Sequence, residues 1–215
     1  MSIISENSTR GQLADWIRYH ANQYPVGSDS PIEDIWSPKS ECLHLNNIEV
    51  IAKWKLEARF VGQIVRKLRE YDQLFPDEDP NSIVSKTRVA YQATTSDIAA
   101  LEALRPIPGT ATKTSAAFGS CLLMVLRPDW WTVIDRRALE TLIVLQSVLT
   151  PDSALLHDFE MLNDAFSQFA PASTEATATV WPSYMSLCRQ LASVCDVSLR
   201  TLDRALYSAK GSLVH

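Results

Sequence analysis

Lys113 and Asp135 stand 22 positions apart in the stretch IPGTATKTSAAFGSCLLMVLRPDWWTVIDRRALETL, residues 107–142. Most of this stretch is apolar, so a primary amine and a carboxylate in it call for a reason. An amine is a nucleophile only when unprotonated, which requires desolvation or neighbouring cations. A plainer role stands beside each residue. Lys113 can be a solvated first-turn lysine that touches phosphate, and Asp135 can be the N-cap of the helix RRALETL. Just ahead of Lys113, Leu104-Arg-Pro-Ile107-Pro-Gly109-Thr-Ala-Thr reads as two helices joined by a Pro-Gly turn. Such a turn aims unpaired backbone N–H groups outward, and with the helix dipole these bind phosphate without net positive charge.

The elements that must position these residues read as helices throughout. Residues 9–23 form a short amphipathic helix with Leu13, Trp16 and Ile17 on one face. Residues 25–40 are a loop rich in Pro, Ser and Asp. One long helix is expected from Asn46 to about Tyr71, with Ile48, Ile51, Ala52, Phe60, Ile64 and Leu68 near 3.6 spacing. Its late cations, Arg66, Lys67 and Arg69, suit the helix dipole. Asn81 or Ser82 caps the next helix and Ser96 the one after it. Helices follow over 113–126, 136–149 and 151–169. Pro182 opens another, Ser198 caps the last, and Gly211 ends it. No alternating strand of useful length is present, so the expected fold is all-α with about nine or ten helices.

Bulk properties narrow the function. A hydrophobic content of 46% and a charged content of 21% exclude wholesale disorder. No run of about 18 apolar residues occurs, so no membrane span is expected. The first ten residues, MSIISENSTR, lack the basic and apolar regions of a signal peptide. Cys42, Cys121, Cys188 and Cys195 read as reduced, mostly buried thiols of a cytoplasmic protein. Their spacing completes no four-ligand cluster, so neither a metal nor another cofactor is expected. The net charge of −5 counts against a nucleic-acid protein overall. The hairpin amides partly offset that objection, since only the local surface must attract phosphate.

The run from Leu104 to about Ala138 resembles the helix-hairpin-helix DNA glycosylase superfamily, and most of all its 8-oxoguanine DNA glycosylase branch. Ile107-Pro108-Gly109-Thr110-Ala111 stands for the family's turn, Lys113 for its lysine, and Asp135 in TVIDRRA for its aspartate. Ala111 replaces the second turn glycine, and RPDWW lengthens the loop between lysine and aspartate. No counterpart of the family's N-terminal β domain is visible. The end of the chain, WPSYMSLCRQLA to SLRTLDRALYSAKG, is similar to short bacterial glycosylase-like proteins.

The resemblance implies one glycosylase-like helical domain over residues 1–215, with two helical lobes and a cleft between them. The hairpin and catalytic segment fall at 95–149, and a polar linker at 170–180 precedes the last two helices. It implies an enzyme, a DNA N-glycosylase and AP lyase. The partner is double-stranded DNA carrying an oxidised guanine or another modified base, which is rotated out of the duplex. Lys113 is then the attacking amine and forms a Schiff base, while Asp135 stabilises charge developing on the sugar. Gly109, Thr110, Ala111 and Thr112 contact DNA through backbone, and Arg136 and Arg137 contact it through side chains or else pair with Glu140. Trp130 and Trp131 either wedge or stack a base or pack the loop. Trp54 is a core or a pocket residue, and Tyr184 and Arg189 are pocket candidates. No metal is implied, and a bacterial member is nucleoid-associated. Repair and defence against modified phage DNA remain alternative settings. The alternative class is a non-catalytic module on the same fold that binds DNA or a protein partner, as an accessory of such a system.

Overall fold

The structure, a computed structural model, describes residues 4–36, 41–110 and 116–212. Among the described residues there are twelve α-helices and no strand. In chain order they are α1 Arg10–Asn22, α2 Ser30–Glu33, α3 Leu45–Lys55, α4 Ala58–Leu74, α5 Ile83–Gln92 and α6 Asp97–Leu104. They continue as α7 Ala116–Leu126, α8 Arg136–Val148, α9 Ala154–Asp158, α10 Glu160–Gln168, α11 Trp181–Cys195 and α12 Leu199–Ala209. The fold is all-α.

Two compact units divide the chain. A middle unit spans Val26–Val133, and a terminal unit joins Met1–Pro25 to Ile134–His215. In the middle unit α7 is the core helix. Every residue of it is buried apart from Ala117, which is half-buried. α6 and α7 approach closely at Gly119, where an added Cβ would sit 2.6 Å from Leu101 Cδ1.

The long helix expected from Asn46 to Tyr71 is two helices. Leu56 and Glu57 adopt extended backbone and end α3 before α4 begins. No proline or glycine forces the break. The cause is the apolar pattern: on one continuous helix the stripe of Ile48, Ile51 and Ala52 and that of Phe60, Ile64 and Leu68 would lie roughly half a turn apart. After the break Ile48, Ile51, Ala52 and Leu68 are buried, Ile64 is half-buried and Phe60 stays exposed. Arg69 then reaches back to α3, donating through Nε and Nη2 to Glu49 at 2.6 and 2.9 Å. That guanidinium holds the Glu49 carboxyl below its usual pKa. Two smaller departures follow. The 25–40 loop contains the single turn α2, and the helix expected over 151–169 is interrupted at Phe159, with φ −131° and ψ 81°.

In the terminal unit α12 packs against α1 and α8. Thr141 of α8 is fully buried and joins two parts of the α12 end. Its hydroxyl donates to the Leu206 carbonyl at 2.8 Å and accepts from Gly211 N–H at 2.9 Å. Thr141→Val keeps the shape and strips both backbone groups of their partner. The expected loss is about 1–3 kcal/mol, read from the urea midpoint. An unchanged midpoint would show that the hydroxyl is not what secures α12.

Candidate functional site

The hairpin is built by local chemistry. Ser96 caps α6, its hydroxyl accepting from Ala99 N–H at 3.2 Å. Past α6, Ile107 N–H donates to the Leu104 carbonyl at 2.9 Å, and Thr110 N–H to the Ile107 carbonyl at 3.1 Å. Gly109 takes φ +94°, a conformation that L side chains rarely adopt. Thr110 adds something its sequence position did not announce. Its buried hydroxyl bonds the Leu104 and Ile107 carbonyls, so the side chain staples the turn shut. Ala111, Thr112 and Lys113 lie outside the described residues.

The loop after α7 is tied back to the hairpin's first helix. Trp131 is fully buried and its Nε1 donates to Asp97 Oδ1 at 3.0 Å. Its job is loop packing, and it leaves no ring face for an incoming base. Trp130 is half-buried, and the Arg127 guanidinium lies 5.3 Å from its ring centroid. The same guanidinium lies 5.4 Å from the Tyr91 centroid. Trp54, also half-buried, donates Nε1 to the Ser28 carbonyl at 2.7 Å and so pins the preceding loop. These residues all belong to the middle unit.

Asp135 belongs to the terminal unit, with Arg136, Arg137, Tyr184 and Arg189. It is the N-cap of α8, with φ −142° and ψ 173°, and its Oδ1 accepts from Ala138 N–H at 3.0 Å. The charge of this carboxylate is one of the influences felt by the Tyr184 phenol of α11. Tyr184 is fully buried and its ring stacks on Trp181, centroids 6.2 Å apart. Burial pushes its pKa well up, and the charges of Cys188 and Asp135 add to the effect. Burial also pushes the Cys188 thiol up to about 12, against the opposing influences of Tyr184 and Arg189. Neither thiol nor phenol is thereby suited to lose a proton near neutral pH. Arg189 is half-buried.

The two arginines after Asp135 differ. Arg136 is exposed and pairs with Glu140 at 2.7 Å, which raises its pKa and matches its charge. Arg137 is exposed too, but its guanidinium lies 4.6 Å from the centroid of the Tyr207 ring. It makes no ion pair among the described residues. Arg137 is therefore the better placed of the two to meet a phosphate.

The terminal unit also carries an open cavity of about 550 Å³, lined by Gln168, Ser173, Glu175, Thr177, Ser183 and Ser186 among others. It runs along the helix-free segment before α11, and the sequence-derived candidates do not line it. Among the described residues no group of three His, Cys, Asp or Glu side chains is placed to hold a metal ion, and no helix is long and apolar enough to cross a membrane. No protein-family model, curated protein or solved structure matches the chain.

Proposed function

We propose that this protein is a DNA N-glycosylase with lyase chemistry, acting on a damaged or modified base in duplex DNA. The observation that carries the reading is the hairpin: a left-handed glycine at Gly109, a turn stapled by Thr110, and a buried second helix that follows. The turn spends the Thr110 N–H internally, on the Ile107 carbonyl, so Thr110 is not itself a backbone contact; in this reading phosphate is left to the amides that follow it in sequence, at the start of the second helix. The family resemblance of the segment around it supplies the chemistry. Lys113 Nζ attacks sugar C1′, the bond from C1′ to the base breaks, and the base leaves with the electron pair and a proton. That proton is the one the new ammonium gives up; the nitrogen lone pair then closes the C1′=N bond of the Schiff base as the C1′–O4′ bond breaks, and O4′ takes a proton from solvent. Asp135 supplies the negative charge that favours the cationic sugar in the transition state. The proposed setting is cytoplasmic, at the nucleoid of a bacterial cell, in repair or in defence against modified phage DNA.

The test is chemical. A Schiff base on an abasic-site or 8-oxoguanine duplex is reduced by borohydride to a stable secondary amine, which links protein and DNA covalently. An adduct that migrates as a single protein–DNA band is expected. No adduct on any of several lesions, at protein excess, would overturn the reading.

One observation favours a second reading, a non-catalytic DNA-binding or protein-interaction module on the same fold. Asp135 is already employed as a helix cap, so its presence has a structural reason independent of chemistry. Excision that survives many turnovers and disappears in Lys113→Ala would eliminate this second reading.

A further inference from the structure

Arg127 follows the last residue of α7, and the chain folds back over it. Its carbonyl accepts from the N–H groups of Trp130 and Trp131 at 3.0 and 2.9 Å, which closes the loop between them. The Arg127 guanidinium then lies among three rings. It stands 5.4 Å from the centroid of Tyr91 on α5, 5.3 Å from that of Trp130 and 5.9 Å from that of Trp131. Arg127 and Tyr91 are half-buried. Among the described residues this guanidinium makes no ion pair and donates no hydrogen bond.

Its place in the middle unit relates it to the hairpin. α6 and α7 run antiparallel. Leu101 stands against Gly119, each about one turn in from the hairpin, and Trp131 beyond the far end of α7 bonds Asp97 at the start of α6. The Pro-Gly turn and Arg127 therefore mark opposite ends of this helix pair. For helices of 8 and 11 residues that separation is on the order of 15 Å. It spans roughly four or five steps of a duplex at about 3.4 Å each.

An arginine drawn partly out of water ordinarily has a carboxylate for company, because a desolvated charge left alone is costly. The dipole of α7 favours a cation at this end, but it does not call for three rings. The rings hold the planar group by its face and leave the N–H edge as a fork, which fits two oxygens of one phosphate. Less side-chain freedom is lost on binding than with a solvated lysine.

We propose that Arg127, held by Tyr91, Trp130 and Trp131, binds a backbone phosphate of duplex DNA at the far end of the helix pair from the hairpin turn. The proposal rests on the reading of DNA as the partner and names a contact for it. It gives a chain of net charge −5 a side-chain cation that displaces a counterion, where the hairpin offers amides.

The experiment uses the full chain and a fluorescein-labelled, undamaged 20-base-pair duplex, with anisotropy read across a potassium chloride series. The wild type is expected to bind, and Arg127→Gln should flatten the slope of log K against log salt by about 0.9, the loss of one phosphate contact. Affinity should fall by about the same factor for unrelated sequences, since backbone contacts carry no sequence information. Tyr91→Leu removes a ring that holds the guanidinium and should weaken binding, whereas Tyr91→Phe should bind as the wild type does. This pair carries the test if Arg127→Gln misfolds. Arg66→Gln removes a charge from α4, where Arg66 pairs with Glu70 at 3.7 Å, and should leave the slope near that of the wild type.

An unchanged slope in folded Arg127→Gln would overturn the proposal, whatever happens to its urea midpoint, and would make the cation a packing element. An equal slope change in Arg66→Gln would overturn it too. Binding of a polyglutamate peptide without binding of the duplex would overturn it in favour of an acidic protein partner. The Lys113-dependent adduct on an abasic duplex is read in parallel. An adduct with an unaffected slope removes this contact and leaves the glycosylase reading. A slope change without an adduct keeps the contact and leaves DNA binding without excision.

Discussion

Lys113→Gln should abolish the borohydride-trapped adduct while keeping affinity for the same abasic duplex within about twofold. Glutamine keeps length and hydrogen bonding but has no amine to attack C1′. Asp135→Asn should slow excision on the order of a hundredfold or more, since it removes a charge opposed to the cationic sugar. The structure makes this variant cleaner than it would otherwise be. Asp135 accepts from Ala138 N–H, and an asparagine carbonyl caps nearly as well, so α8 should remain intact. Asp135→Ala serves as the contrast, because it loses the cap as well and should cost about 1 kcal/mol of stability. The three proteins thus separate amine, charge and cap. An adduct that persists in Lys113→Gln would remove Lys113 as the nucleophile. Excision unchanged in Asp135→Asn but weakened in Asp135→Ala would make Asp135 a structural residue only.

What could be read beforehand depended on how local the determinant was. Ser82, Ser96, Asp135 and Ser198 all cap the helices expected of them, because a cap is set by a few adjacent residues. The break at Leu56 and Glu57 was missed, since it reflects a change in which face is apolar and no single residue marks it. Asp135 was legible as a helix cap, and the structure puts it there. Thr110 was expected to act through its backbone, whereas the structure shows its hydroxyl closing the turn. The ring contacts of Tyr207 were missed for a different reason. Arg204 and Tyr207 share a face of α12 at a spacing that is visible in sequence. Tyr24 and Arg137 join them from remote parts of the chain, and only tertiary packing brings those together.

Gly109→Val should be the most damaging single change in the middle unit. At φ +94° an L side chain is strained whatever room it has, and β-branching makes it worse. Room is short as well. A Cβ there would stand 3.1 and 3.2 Å from the buried Phe118 ring and 3.3 Å from Cγ2 of the half-buried Ile64. Strain and overpacking together should cost roughly 2–5 kcal/mol, read as a lower urea midpoint. Gly119→Ala separates packing from backbone strain. Its Cβ would meet only the end of the Leu101 side chain, at an ordinary helical φ, so its cost should be smaller. The effect on DNA is the more telling readout. Measured where Gly109→Val is still folded by circular dichroism, binding should weaken alike for all duplexes. The salt slope should change little, because amides and not cations are displaced from phosphate. A folded Gly109→Val protein that binds DNA as the wild type does would exclude the turn as a phosphate site. Phosphate contact would then have to rest on arginine side chains.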